Sequence, residues 1–238
     1  MASPLHGAVG ILGGSFNPVH NGHLRMAIEA REALGLERVD LLPARMPPHK
    51  GAAGLIGFDL RLEMARLAVE GVEGLGVCAL EGEMPVPSYS HATLVRLAEL
   101  FPLTRHVFVL GSTDLLTLPD WHRGLELPLL ADMAVVDRLG LGLDTVDRFL
   151  ATHWRWSEEG PGLRRIAGGR LVAFVPMARL DISASMVREK FCAGREVRGL
   201  VPEAVRGRML TAPRQFSDCW NTSIQLEEQW SDISSCGN

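Results

Sequence analysis

The chain has 238 residues, of which 47% are hydrophobic, enough to bury a full core in one domain or in a domain with a short appendage. Its formal net charge of -4 and isoelectric point near 6.1 argue against broad electrostatic binding to nucleic acid or anionic membranes, since both favour basic surfaces. Residues 1–7 lack the features of a signal peptide, and no apolar stretch approaches the roughly 20 residues that span a bilayer. We therefore expect a cytoplasmic protein whose partners are small molecules.

Four cysteines are scattered along the chain without a close pair: Cys78, Cys192, Cys219 and Cys236. This spacing is typical neither of zinc ligands nor of a disulfide-rich framework, so we interpret them as reduced thiols and predict no metal site in the protein itself. Two of the four lie in the last twenty residues. A disulfide between these two stays open as an alternative.

Short apolar runs alternate with stretches of helical periodicity. In chain order the sequence predicts a strand at 9–12, a helix at 24–34, a strand at 39–42, a helix at 59–69, a strand at 77–80, a helix at 91–100, strands at 107–110, 133–136 and 171–175, and helices at 184–193 and 202–210. Strands separated by helices indicate a doubly wound α/β fold, a parallel sheet with helices on both faces. Ligands of such folds bind at the carboxyl ends of the strands.

Two regions fall outside this alternation. Residues 140–169 are rich in glycine and charge, and residues 213–238 form a polar tail. In the tail, Thr222 followed by Gln225 resembles a capping box ahead of a short helix, but its composition favours weak order. We therefore predict one domain over residues 1–212 and a weakly ordered tail over 213–238.

The first motif, GGSFNPVHNGH at residues 13–23, lies between the first strand and the first helix. Gly13 and Gly14 allow a tight turn and close approach to a ligand, and the amides at a helix start favour an anion. His20 and His23 are three residues apart, which can bring both imidazoles to one side, and Gly22 leaves room between them. The alternatives are a capped helix start with two incidental histidines, or a zinc pair that lacks a third ligand.

The second motif, DISASMVR at residues 181–188, follows the strand at 171–175 and begins a helix. Ser183 and Ser185 supply hydroxyls at the helix start, while Arg188 presents a guanidinium fork that suits phosphate oxygens. Simple helix capping is the alternative interpretation. With the first motif, this segment predicts a two-part site for a triphosphate.

The string at 13–23 resembles the HxGH motif of the nucleotidylyltransferase superfamily, and its longer form resembles bacterial nicotinate-nucleotide adenylyltransferases. The segment at 181–188 resembles the family's IS-S/T-x-x-R motif, with Ser185 where many relatives have threonine. The resemblance covers roughly residues 8–210 in the correct order. It implies catalytic roles for His20, His23 and Arg188 and ATP binding by Gly13, Gly14, Ser15, Phe16, His20, Gly22, His23, Gly111, Ser183, Ser185 and Arg188.

Further segments resemble the parts of this family that contact the second substrate. The residues implied are Asn17, Lys50, Tyr89, Ser90, Ser112, Asp114, Trp121 and Arg138. Thr113 stands where relatives usually have aspartate, and Leu139 where they usually have proline. A solvated loop for Lys50 and core packing for Tyr89 and Trp121 are the alternatives.

The resemblance implies that nicotinate mononucleotide attacks the α-phosphorus of ATP, giving nicotinate adenine dinucleotide and pyrophosphate with Mg²⁺ accompanying ATP. Two other functions stay open. One is adenylyl transfer to nicotinamide mononucleotide, and the other is a catalytically silent nucleotide-binding module. Composition does not fix the oligomeric state, with a homo-oligomer among the alternatives.

Overall fold

The computed structural model of the chain describes residues 3–48 and 54–220. Its strands are β1 (Val9–Gly14), β2 (Arg38–Pro43), β3 (Leu75–Val77), β4 (His106–Gly111), β5 (Asp132–Asp137), β6 (Trp156–Gly160), β7 (Leu163–Ile166) and β8 (Leu171–Pro176). Over the described ranges they form one sheet in the order β3-β2-β1-β4-β5-β8-β7-β6. Neighbours from β3 to β8 are parallel, whereas β7 runs antiparallel to both β8 and β6.

Helices cover both faces of this sheet. They are α1 (Asn21–Leu34), α2 (Phe58–Val69), α3 (Ser90–Leu100), α4 (Ser112–Leu116), α5 (Leu127–Leu130), α6 (Leu143–His153), α7 (Ala184–Cys192), α8 (Glu203–Thr211) and α9 (Pro213–Cys219). One hydrophobic core lies under α1, α2, α7, α8 and α9, and a second lies under α3 to α6. The predicted doubly wound α/β fold is therefore confirmed. No helix within the described residues is long and apolar enough to cross a membrane.

The strand order reverses between β1 and β4, which are neighbours in the sheet. From β1 the chain runs outward through β2 to β3, and it then returns to β4 and continues the other way. Ligands of doubly wound sheets bind at such a reversal, outside the carboxyl ends of the strands. Gly13 and Gly14 at the end of β1 and Gly111 at the end of β4 lie at this reversal.

The predicted elements agree with the structure to within three residues at each end, although the third strand is displaced from the predicted range of 77–80. The third strand covers Leu75–Val77, and the chain then forms a short 3-10 helix over Leu80–Glu83. This turn buries Glu81, whose carboxylate accepts hydrogen bonds from the Arg45 backbone N–H at 3.2 Å and from the Thr93 hydroxyl at 2.8 Å. The polar contacts of Glu81 favour the turn over continued strand pairing.

Residues 140–169 are ordered into a helix and a hairpin, although the sequence showed no pattern there. Helix α6 buries Val146 and Leu150 against the second core, and β6 pairs with β7 as an antiparallel hairpin. Both carboxylate oxygens of Asp147 accept hydrogen bonds from the buried Arg164 guanidinium at 2.9 Å. This bidentate contact joins the helix to the hairpin.

Packing also continues beyond the predicted domain boundary at residue 212. Helix α9 begins at Pro213, and the rings of Phe216 and Trp220 are buried in the first core. Residues 213–220 are therefore part of the folded domain. The predicted capping box at Thr222 and Gln225 lies outside the described residues.

Among the cysteines, Cys78 and Cys219 are free thiols and Cys192 is buried in the core. Burial raises the pKa of both free thiols above the usual range. Cys236 lies outside the described residues. Within the described ranges, no group of three or more His, Cys, Asp or Glu side chains is arranged to hold a metal ion.

Candidate active site

The loop between β1 and α1 carries the first motif at the carboxyl end of the central strand. The buried Phe16 adopts a positive φ of 45°, and its ring lies against Gly14, where an added Cβ would be 3.0 Å from the nearest ring carbon. The same ring meets the imidazole of His23 edge-on, with centroids 4.9 Å apart. Phe16 therefore supports His23, and glycine at position 14 is required for that ring position.

His20 and His23 flank the first turn of α1. Their rings stack with centroids 3.6 Å apart, and the His20 backbone N–H donates to Nδ1 of His23 at 3.2 Å. Because Nδ1 of His23 accepts this hydrogen bond, the neutral ring carries its proton on Nε2. The backbone thus fixes both the orientation and the tautomer of His23, and Nε2 becomes the donor.

His20 differs from its neighbour in burial and charge. Its side chain is 2% exposed, and Nδ1 is a buried atom with no hydrogen-bond partner within the described residues. Burial, with a smaller contribution from the positive charge of Arg138, lowers the pKa of His20 from 6.5 to about 3. At neutral pH this imidazole is uncharged. An anion bound nearby would raise its pKa again.

The position of the His20 ring leaves no room for a side chain at residue 22, so glycine is required there. A Cβ at residue 22 would lie 3.0 Å from both Cε1 and Nδ1 of His20, and 3.5 Å from the carbonyl oxygen of Ile182. The last contact also shows that the second motif packs directly against the start of α1. The NH1 group of Arg138, just after β5, donates to the same Ile182 carbonyl at 3.2 Å.

Helix α7 carries the rest of the second motif. Ser183 is its N-cap, and its hydroxyl accepts the backbone N–H of Met186 at 3.2 Å. One Arg188 nitrogen donates to the Ser185 hydroxyl at 3.1 Å, and the other to the backbone carbonyl of Asn17 at 2.8 Å. The two motifs, 171 residues apart at this contact, therefore meet in space as the sequence analysis required. Burial lowers the pKa of Arg188, but a guanidinium stays cationic at neutral pH.

A residue that the sequence analysis missed, Arg61 of α2, fixes the loops around this site. Its guanidinium is fully buried and donates to four backbone carbonyls, those of Ile56 at 2.9 Å, Ser15 at 2.8 Å, Ala44 at 2.6 Å and Arg45 at 2.9 Å. These carbonyls belong to the loops after β1 and β2 and to the segment before α2. One side chain thus joins three segments at the carboxyl edge of the sheet.

The sequence did contain a signal for Arg61. It falls on the same helical stripe as Met64, Ala65 and Ala68, all of which are buried. Burial lowers the pKa of Arg61 to about 10, although the charge of Glu81 opposes this shift. An arginine in the middle of an apolar helix stripe predicts a buried, fully hydrogen-bonded group rather than a solvated one.

The loops after β2 and before α3 are linked by two hydrogen bonds. The Ser88 backbone N–H donates to the Met46 carbonyl at 2.8 Å, and the Met46 N–H donates to the Ser88 hydroxyl at 3.1 Å. Lys50, four residues beyond Met46, lies outside the described residues. Its predicted contact with the second substrate stays a prediction.

The predicted aromatic residues lie on adjacent segments. The Tyr89 ring is 4.3 Å from the His122 ring, and Trp121 donates its indole N–H to the Thr117 hydroxyl at 3.1 Å. His122 is exposed and was not singled out from sequence. The rings of Tyr89 and His122 therefore form a pair beside Ser90 at the start of α3, while Trp121 packs against the second core.

The segment after β4 uses its polar side chains within the protein. The buried Ser112 hydroxyl donates to Asp137 at 2.8 Å, and the Asp114 carboxylate accepts the Gly111 N–H at 3.3 Å. Burial of Asp137 tends to raise its pKa, but its hydrogen bonds from the backbone and from Ser112 outweigh burial and lower the pKa below the usual range. The Ser112 hydroxyl proton is therefore used within the protein, and the predicted contact of Ser112 with a substrate stays a prediction.

The side chain of Asn17 is likewise occupied. Its amide donates to the Gly54 carbonyl at 2.6 Å and accepts the Ile56 N–H at 3.3 Å and the Trp220 indole N–H at 3.0 Å. Asn17 is 4% exposed. The Asn17 side chain therefore has a structural role, and the predicted contact of Asn17 with the second substrate stays a prediction.

Residues 11–190 match the family model described as Cytidylyltransferase-like. Among solved structures, a Plasmodium falciparum nicotinic acid mononucleotide adenylyltransferase complexed with NaAD has a TM-score of 0.67 at 17% identity, covering 89% of this chain and 98% of the other. A structure of the same Plasmodium enzyme complexed with APC has a TM-score of 0.66 at 16% identity. The family match over most of the chain, together with the shared fold, identifies the class of this protein as a nucleotidyltransferase.

Curated relatives are closer in sequence. The chain is 35% identical over 215 residues to a "Probable nicotinate-nucleotide adenylyltransferase" of Pelobacter propionicus, covering 89% of this chain and 99% of the relative. It is 40% identical over 198 residues to a protein of the same name in Pseudomonas putida, covering 83% of this chain and 90% of that one. The chain belongs to the nicotinate-nucleotide adenylyltransferases of the Cytidylyltransferase-like family.

Proposed function

We propose that this enzyme transfers the adenylyl group of ATP to nicotinate mononucleotide, giving nicotinate adenine dinucleotide and pyrophosphate. The hydrogen bond from Arg188 to the Asn17 carbonyl carries this proposal, because it brings a guanidinium to the loop that holds His20 and His23. The three side chains then surround one place at the carboxyl end of β1. A triphosphate is the ligand that this set of donors fits best.

The chemistry requires positioning rather than proton transfer. The attacking group is a phosphate monoester whose second pKa is about 6, so it is mostly a dianion at neutral pH and needs no general base. The protein has to align two polyanions and stabilise the charge that grows on the pyrophosphate leaving group. His23 donates through Nε2, and Arg188 contributes a fixed positive charge.

His20 has a separate role in this mechanism. A neutral, buried imidazole donates a hydrogen bond without carrying charge, and stacking holds its ring on His23. The charge of Arg138, which acts on His20, and the charge of Arg188 favour the bound triphosphate. No covalent intermediate with the protein is required.

Mg²⁺ belongs to the proposal as the companion of ATP. The residues brought together around the phosphate site are imidazoles, hydroxyls and guanidiniums, and none of these is a carboxylate. Mg²⁺ is commonly bound through substrate phosphates, and there it neutralises charge on the leaving group. The donor set of the protein fits an ion held by the phosphate oxygens of ATP.

The start of α3 supports nicotinate as the acceptor. Tyr89 precedes the helix as its N-cap and makes no side-chain capping bond, and the first turn from Ser90 onward contains no acidic residue. Amides at a helix N-terminus favour a carboxylate over a neutral carboxamide. The Tyr89 and Trp121 rings are the aromatic surfaces beside it on which a pyridine ring can stack.

Pyrophosphate release from ATP tests the reaction and the acceptor together. Nicotinate mononucleotide, nicotinamide mononucleotide and phosphopantetheine are supplied in parallel at equal concentration. The proposal requires the highest kcat/KM with nicotinate mononucleotide. A higher value with nicotinamide mononucleotide would support the alternative acceptor, and ATP binding without pyrophosphate release in all three arms would support a silent module.

A further inference from the structure

The last helix of the described residues, α9, ends against the phosphate-binding loop. Trp220, the residue that follows α9, is 7% exposed, and its ring packs on Phe191 of α7 and Phe216 of α9 with centroids 5.8 Å and 5.5 Å apart. The family match covers only residues 11–190. Trp220 therefore reaches the site from a part of the chain beyond the family model.

The indole N–H of Trp220 has one hydrogen bond, to Oδ1 of Asn17 at 3.0 Å, and both groups are buried. The two residues are 203 positions apart in sequence. A buried indole N–H requires an acceptor, and without this donor the Asn17 amide keeps only two of its three hydrogen bonds and is held less firmly. The contact thus fixes the Asn17 side chain from the C-terminal side of the molecule.

Asn17 transmits this restraint to the phosphate-binding groups. Its backbone carbonyl accepts the hydrogen bond from Arg188 at 2.8 Å, and three residues later the chain reaches His20. Its side chain also holds Gly54 and Ile56, which follow the segment containing Lys50. Because the side chain and this carbonyl belong to one residue, a shift of the Asn17 backbone on loss of the Trp220 contact would move the carbonyl that orients Arg188.

We propose that Trp220 is a positioning residue for adenylyl transfer, which holds Asn17 so that Arg188 and the histidine loop keep their geometry. This inference rests on the proposed function. Positional errors of about 1 Å in groups that bind the transition state cost up to about 100-fold in rate. The loss of one hydrogen bond in the supporting structure is expected to have a smaller effect, and to act on kcat rather than on folding.

The test compares Trp220→Phe with the matched control Trp154→Phe, which makes the same chemical change at the partly buried end of α6. Phenylalanine keeps an aromatic ring in the core, although a smaller one, and removes the N–H. We expect kcat for pyrophosphate release to fall about five- to tenfold in Trp220→Phe, with KM for ATP within about twofold. The control should keep the wild-type kcat.

A double-mutant cycle with Asn17→Ser separates positioning from a general structural effect. If Trp220 acts through Asn17, Trp220→Phe lowers kcat by less than about twofold in the Asn17→Ser background. Independent, multiplying effects would overturn the inference, and so would a wild-type kcat in Trp220→Phe. Wild-type protein that is inactive with nicotinate mononucleotide would instead overturn the proposed function.

A second variant keeps the test decisive if Trp220→Phe folds poorly. Replacement of Trp220 by 3-benzothienylalanine substitutes sulfur for the indole N–H and leaves the ring shape unchanged. The same five- to tenfold fall in kcat is expected with an unchanged melting temperature, to within a few degrees. Full activity of this variant would show that the N–H has no positioning role.

Discussion

The ring of His20 stacks on the ring of His23 at a centroid distance of 3.6 Å, while the backbone N–H of His20 holds Nδ1 of His23. One residue therefore fixes its neighbour from two directions. The arrangement leaves Nε2 of His23 as the donor toward the phosphates. It also assigns different tasks to two histidines that look equivalent in the sequence.

His23→Ala should lower kcat about 100- to 1,000-fold, on the order of 3 to 4 kcal/mol, because one preorganised donor to the transition state is removed. Steady-state pyrophosphate release measures the effect. His153→Ala, at the end of α6, is the control and should keep wild-type turnover. Wild-type turnover in His23→Ala would contradict the assignment.

The depressed pKa of His20 should appear as a pH dependence of stability. The pKa of His20 in the folded protein is about 3, below its ordinary value of 6.5, so the unfolded chain takes up the proton first as pH falls. The stabilisation from a neutral His20 is complete above pH 6.5 and is lost as pH falls toward 3. Between pH 7 and pH 5, wild type should lose about 2 kcal/mol more than His20→Asn.

Urea unfolding at pH 7, 6 and 5 measures this difference. Only the change with pH is compared, because asparagine at an N-cap alters stability by itself. If the free energy of unfolding changes with pH by the same amount in both proteins, the pKa of His20 is not lowered in the folded state.

Arg61→Met should destabilise the protein by at least about 3 kcal/mol, because four buried carbonyls lose their donor. Arg66→Met removes an exposed arginine from the same helix, and its effect should stay within about 0.5 kcal/mol. Guanidinium chloride unfolding of both variants gives the comparison. Equal free energies of unfolding for Arg61→Met and Arg66→Met would show that Arg61 does not hold the loops together.

Gly22→Ala should lower kcat at least tenfold, since its Cβ would lie 3.0 Å from the His20 ring and force it to move. Gly207 of α8 is the matched control, because a Cβ there meets no atom within 4 Å. Gly207→Ala should stabilise the protein by about 0.5 to 1 kcal/mol and leave turnover unchanged. An active Gly22→Ala variant would show that the His20 ring tolerates displacement.

The sequence predicted the parallel sheet well because buried strands such as β4 and β5 are continuous apolar runs between clear helices. It predicted the meeting of His20 and His23 with Arg188 because both motifs follow parallel strands that end at one edge. It did not predict the β6–β7 hairpin. The strands of that hairpin are short and partly polar, so no apolar run marks them.

The supporting contacts of the site were harder to predict. The bond between Asn17 and Trp220 joins residues 203 positions apart, and nothing local in either segment signals it. The motif predicts a substrate contact at Ser112, whereas the bond from the Ser112 hydroxyl to Asp137 depends on strand pairing and has no signal in the sequence. Periodicity and motifs therefore place the groups at the site, while tertiary packing decides which of them face inward.

Strand β6 ends the sheet on the side opposite β3, and its exposed glutamates are paired within its own hairpin. Glu159 bonds Arg165 at 2.8 Å, Glu158 bonds Arg164 at 3.3 Å, and the ladder shifts register between Glu158 and Gly160. A strand from another copy of the chain that paired with β6 would meet these carboxylates and an irregular backbone, and both disfavour strand pairing. This edge of the sheet therefore disfavours aggregation by strand pairing between molecules.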